Sequence, residues 1–145
     1  MRATSVLAAL AIAALAACSV LPPPPAPAAE FDFGPVRSLA PTAPRLQQTL
    51  LVPDVGAPGW MDSGHLVYRL AYRDASSPRA YANSRWVMPP AALYTGRLRE
   101  RVAAATGGGV VAPGDNARYG AALRVDLLEF SQVFDAADAS RALVQ

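Results

Sequence analysis

The chain has 145 residues, 52% hydrophobic and 17% charged, a size and balance that suit one globular domain. All 13 cationic residues are arginines, set against 11 carboxylates for a net charge of +2, and they form no dense block, which excludes the basic stripe of a nucleic-acid binder. The single cysteine excludes an internal disulfide, and with only one histidine it leaves too few ligands for a typical zinc site.

Taken in chain order, Met1-Arg2 precedes an apolar run over residues 6–17 that ends in small residues before Cys18. One cation, a short apolar stretch and small terminal residues make a secretory signal peptide, too short for the roughly 20 residues of a spanning helix. The step Leu15-Ala16-Ala17-Cys18 resembles the bacterial lipoprotein lipobox, in which the cysteine thiol accepts a diacylglycerol. That resemblance implies an N-terminus carrying covalent lipid on Cys18, a near-permanent anchor when several acyl chains are present. Ser19, where aspartate would mean inner-membrane retention, implies by the same resemblance the outer membrane, facing the periplasm. The run "LPPPPAPAAE" cannot join a sheet and reads as a polyproline tether. The organisation expected is residues 1–17 signal peptide, 18–30 lipidated cysteine and tether, and 31–145 a periplasmic domain.

Within that domain, residues 31–35 ("FDFGP") read as a short edge strand stopped by Gly-Pro. Residues 46–55 are a second strand, with Pro53 confining its end to an edge or bulge. "HLVYRLAYRD" alternates, placing Leu66, Tyr68, Leu70 and Tyr72 on one face and Val67, Arg69, Ala71 and Arg73 on the other. "ASSPR" is expected to turn, and residues 81–87 to return as the partner strand. Tyr68, Tyr72, Tyr81 and Trp86 then become core or half-core aromatics, while Arg69, Arg73 and Arg85 line the solvent side. A helix is expected from Pro89-Pro90, with Ala91, Tyr94, Leu98, Val102 and Ala105 on its buried face and Gly107-Gly108-Gly109 as its stop. After a polar loop, residues 121–134 alternate as another strand, and "SRALVQ" begins a further one. The fold class expected is α+β, a mixed, largely antiparallel sheet with one or more packed helices.

The catalytic candidates are thin. His65 sits beside Ser63 and Asp62, but neighbours in sequence do not make a triad. The pairs Asp54 with Asp62 and Asp126 with Glu129 read as solvated carboxylates, and the glycine run lacks the lysine and the helix-opening position of a phosphate loop. No catalytic residue, metal or cofactor is assigned beyond the lipid on Cys18. The arginine row could face lipid phosphates or an acidic partner, or be simply solvated.

The segments "VYRLAYRD", "YANSRWVMPPAALYTGRLRERV" and "LRVDLLEFSQVF", in that order behind a lipobox, resemble the ABC-type transport auxiliary lipoprotein family of the PqiC type. Tyr68-Arg69 and the step from Arg85-Trp86 to Pro89 are the most telling matches. The resemblance implies a non-catalytic part of an envelope lipid transport system, docking an MCE-type substrate-binding protein of an ABC transporter at the outer membrane, with phospholipid as a candidate ligand. Arg69, Arg73, Arg85 and Trp60 are the candidate partner- or lipid-binding residues. It also implies further strand and a C-terminal helix beyond Gln145, so that an edge strand and an apolar helix face would stand uncovered here. The alternatives are a structural envelope lipoprotein without a transport role, or a periplasmic hydrolase using Ser63 or His65.

Overall fold

The computed structural model describes residues 26–36 and 46–145; the signal segment, Cys18 and most of the tether lie outside the described residues. The elements are β1 (Ala29–Phe31), β2 (Leu50–Leu51), a single 3-10 turn (Gly59–Met61), β3 (His65–Leu70), β4 (Asp74–Trp86), helix α1 (Pro90–Ala105), β5 (Val110–Val111), β6 (Ala121–Ala122), β7 (Phe130–Ala136) and β8 (Ala139–Val144). They build a mixed five-stranded sheet in the order β1-β4-β3-β7-β8 and a small parallel sheet in the order β5-β2-β6. The class is α+β, as expected. The two hairpins, β3 with β4 and β7 with β8, supply the antiparallel pairings, and β1 and β7 join them in parallel.

The first hairpin turns earlier than the sequence suggested. The Arg73 N–H donates to the Leu70 carbonyl (2.8 Å), and Leu70 is already paired with Asp74. The Asp74 carboxylate then accepts the Ser76 N–H (2.9 Å) and the Ser76 hydroxyl (2.6 Å), so "ASSPR" starts a strand and does not turn. Pro78 is tolerated there because β1 reaches β4 only at residues 84–86, which leaves the Pro78 stretch an edge. The early turn also moves Tyr72 and Arg73 off the ladder; Tyr72 is exposed, not a core aromatic.

Of residues 46–55 only Leu50–Leu51 form a strand, β2, which lies at the centre of the small sheet. Its Leu50 and Val52 N–H groups donate to Gly109 and Val111, while its Thr49 and Leu51 carbonyls accept from Gly120 and Leu123. Gly108 passes so close to this strand that a Cβ on it would run into the Gln48 backbone. The strand expected over residues 121–134 is split. Its backbone pairs first with β2 as β6, then with Gly56, which donates to the Val125 carbonyl (3.0 Å) and accepts from Leu127 (2.8 Å), and then crosses to β3 as β7. The alternation survives the break: Leu127 is buried while Arg124, Asp126 and Leu128 are exposed.

Helix α1 begins at Pro90, where the missing N–H costs nothing, and closes at Thr106 before the glycines. Its Ala91, Tyr94 and Leu98 pack on a core of Val55, Met61 and Leu127, as the periodicity predicted. Thr95 on the same helix is also buried. Its hydroxyl donates to the Ala91 carbonyl and accepts the Val55 N–H, both at 2.8 Å, which ties α1 to the end of the small sheet.

Candidate functional site: an open aromatic sheet face

The five-stranded sheet carries aromatic side chains from four segments. Tyr68 on β3 meets Tyr81 on β4 with ring centres 4.7 Å apart and Phe134 on β7 at 6.1 Å. At the other end, Phe33, just past β1, lies 5.7 Å from both Trp86 and Phe130 and 6.4 Å from Tyr94 of α1. Such tilted and edge-to-face pairs each add about 0.5–1.5 kcal/mol beyond simple burial. Phe33 is therefore the plug that joins helix to sheet, a role its place in "FDFGP" did not announce.

Between the two clusters the surface is concave. One groove of about 320 Å³ is lined by Leu66, Trp86, Phe130, Gln132, Ala142 and Val144 among others. A second, of about 330 Å³, takes in Phe31 and Tyr81 and shares Leu66, Trp86 and Gln132 with the first. These volumes sit at the small end of the usual ligand-pocket range. Some of the polar groups here satisfy one another, while the Ser131 hydroxyl on the same lining is buried without a partner among the described residues. The Tyr81 hydroxyl donates to Gln132 Oε1 (2.7 Å), and Gln132 Nε2 donates to the Ser140 hydroxyl (2.8 Å). The floor is largely apolar, suited to binding by contact, while Arg141 lines the first groove and Asp32 the second.

The four candidate binding residues are not one row. Arg69 is not on the solvent side: its guanidinium donates to Glu129 Oε2 (3.0 Å) and to the Ala75 carbonyl (3.1 Å), with side-chain exposures of 17% for Arg69 and 16% for Glu129. Trp60 lies over it, the guanidinium carbon 5.6 Å from the ring centre. Glu129 lies sixty residues from Arg69 in the chain, so no local pattern could pair them. Arg73 is exposed in the turn and rests against Tyr72 (5.7 Å). Arg85 is exposed too, and it pairs with Glu30 of β1 (2.6 Å).

Other carboxylates are engaged too. Asp54 accepts from Arg99 (2.9 Å), whose Nε also donates to the Val52 carbonyl (2.9 Å); Arg97 reaches the Gly34 carbonyl. These arginines tie α1 to the segments that follow β2 and β1. The bonds from the Ser76 hydroxyl and N–H hold the Asp74 carboxyl below its ordinary value. His65 is exposed at the head of β3, opposite Arg85, and among the described residues no hydrogen bond joins it to Ser63 or Asp62.

No protein-family model matches the chain, and no curated protein sequence matches it. Solved structures do. The chain is similar to the crystal structure of protein XCC0632 from Xanthomonas campestris, described as DUF330, with a TM-score of 0.59 and 16% identity over 80% of this chain and 75% of that one. It is also similar to a crystal structure titled only as an uncharacterized protein, with a TM-score of 0.55 and 13% identity over 83% of this chain and 78% of that one. At these identities the likeness establishes a shared fold: this arrangement of hairpins, helix and small sheet recurs in other proteins.

Proposed function

We propose that the chain is a non-catalytic, membrane-anchored auxiliary component of an ABC/MCE-type envelope lipid transport system, holding the periplasmic substrate-binding component at the outer membrane. The observation that carries this reading is the open, aromatic-lined sheet face, a surface fitted to hold an apolar segment and not to transform one. The lipobox at Cys18 and the ordered motifs from Tyr68 to Phe134 support it. So does the likeness of fold to a DUF330 protein, the family designation to which the PqiC type corresponds. In this reading ATP hydrolysis belongs to other subunits, and Arg73 and Arg85, which line neither groove, remain the exposed cations among the candidate residues.

Photo-cross-linking tests the face directly. Benzoylphenylalanine placed at Tyr81, on the groove, should capture an MCE-type protein in intact envelopes, while the same group at Asp115, in the loop after β5, should not. Equal capture at both positions, or none at Tyr81 in folded and anchored protein, would favour a structural envelope lipoprotein with no transport role.

A further inference from the structure

Three of the large apolar side chains that remain exposed gather at one corner of the five-stranded sheet. Phe31, Val87 and Met88 are 46%, 47% and 45% exposed. Their positions are held by the ladder: Phe31 is paired with Trp86, and the Val87 N–H donates to the Phe31 carbonyl (2.9 Å). Nearby, Arg85 and Glu30 pair with each other, and the exposed Asp32 beside Phe31 accepts the Gly34 N–H.

This is also the corner at which the chain enters the fold. Ala26 is the first described residue and β1 starts at Ala29, whereas Cys18 lies only thirteen residues before Phe31. Even fully extended as polyproline, that length reaches about 40 Å, and as a flexible coil about half that. The opposite end of the sheet holds the turns at residues 71–73 and 137–138. It stands farther off by the length of β3, about 20 Å at the usual rise of a strand. An anchor at Cys18 thus leaves the Phe31 corner within reach of the bilayer, and nearer to it along the chain than the turns. A cluster of exposed apolar side chains within tether reach of lipid suits the headgroup–acyl boundary.

We propose that Phe31, Val87 and Met88 rest in the interfacial layer of the membrane that holds the anchor, so that the domain lies with this corner down and its hairpin turns pointing into the periplasm. The inference rests on the reading that Cys18 is acylated, which blocks its thiol and frees cysteine labelling for other positions.

The test uses the full acylated chain in vesicles of phosphatidylethanolamine and phosphatidylglycerol. A nitroxide is attached through Met88→Cys or, as control, through Asp138→Cys in the β7–β8 turn. The expected result is a several-fold lower accessibility of the label at position 88 to a water-soluble relaxation agent, with the label at position 138 fully accessible. Adding Val87→Glu to the Met88→Cys chain should lift the label back into water without changing the circular dichroism. Equal accessibility at the two positions in acylated protein, or a label that stays shielded despite Val87→Glu, overturns the proposal. Mass spectrometry of the N-terminal fragment reads the anchor separately: an unmodified Cys18 would sink the lipoprotein reading itself, a failure distinct from an acylated chain whose corner stays wet.

Discussion

Replacing Arg69 with methionine keeps an unbranched stem like the arginine's methylenes and removes the charge, so it tests whether this arginine clamps the fold or decorates its surface. Removing one partner from a fully buried ion pair costs about 3–5 kcal/mol, and a hydrogen bond to a charged group contributes about 1.5–3 kcal/mol. With both partners about one-sixth exposed, the lower part of that range applies. The contact with Trp60 adds about 0.5 kcal/mol, and the methylene stem is retained in methionine. The expected loss is therefore about 2–3 kcal/mol, read as a lower urea midpoint with an unchanged slope, and a fall in Tm of roughly 6–15 °C for a domain of this size. Glu129 Oε1 is buried with no partner among the described residues, so Arg69→Met leaves a stranded carboxylate. The double variant Arg69→Met/Glu129→Gln should then cost less than the sum of the two single changes. Arg85→Met, whose pair with Glu30 is about half exposed, should cost no more than about 1 kcal/mol. If Arg69→Met and Arg85→Met both fall within about 0.5 kcal/mol of the parent, the clamp is refuted and Arg69 returns to the list of surface cations.

Thr95→Val conserves shape but strands the buried Val55 N–H, and should lower stability by about 1–3 kcal/mol in the same urea assay, whereas Thr95→Ser should recover most of it. Gly64→Ala would place a Cβ 2.7 Å from the Trp86 carbonyl oxygen and push the β3–β4 hairpin apart at its open end. The expected cost is about 1–3 kcal/mol, with faster amide exchange at Trp86, whose N–H donates to Gly64. Because its folded pKa is depressed, the Asp74 carboxyl stabilises the turn above the ordinary aspartate value of 3.8, and that contribution fades as pH falls through the lower folded value. An NMR titration should therefore place the Asp74 midpoint below that of the same residue in a peptide, and Ser76→Ala should move it back up. Arg73→Glu, at an exposed turn, should leave the urea midpoint unchanged, so any loss of partner capture in that variant reads docking and not folding.

Much of this fold was legible wherever a local rule had no long-range competitor. The 3.6-residue repeat of Ala91, Tyr94 and Leu98 located α1 and its buried face, and the alternation around Tyr68 located β3. The turn was misplaced because Asp74 captures Ser76, a two-residue interaction that outweighs the turn propensity of Ser-Ser-Pro. Arg69 was misread for a different reason. Alternation tells which residues share a face but not which face other segments cover, and Glu129 and Trp60 arrive from distant parts of the chain. The central place of β2 was not legible because its two parallel partners, Val110–Val111 and Ala121–Ala122, are too short to announce themselves as strands. The groove was invisible for the same reason: it exists only once β4, β3, β7 and β8 are laid side by side.

The central claim is that an anchored chain of this fold holds a transport protein. Affinity purification from cross-linked envelopes, read by mass spectrometry and run beside Cys18→Ala as the unanchored control, tests it most directly. The account predicts recovery of an MCE-type protein with the parent chain and a clear loss with Cys18→Ala. Recovery of no transport subunit with folded, acylated parent protein would contradict it.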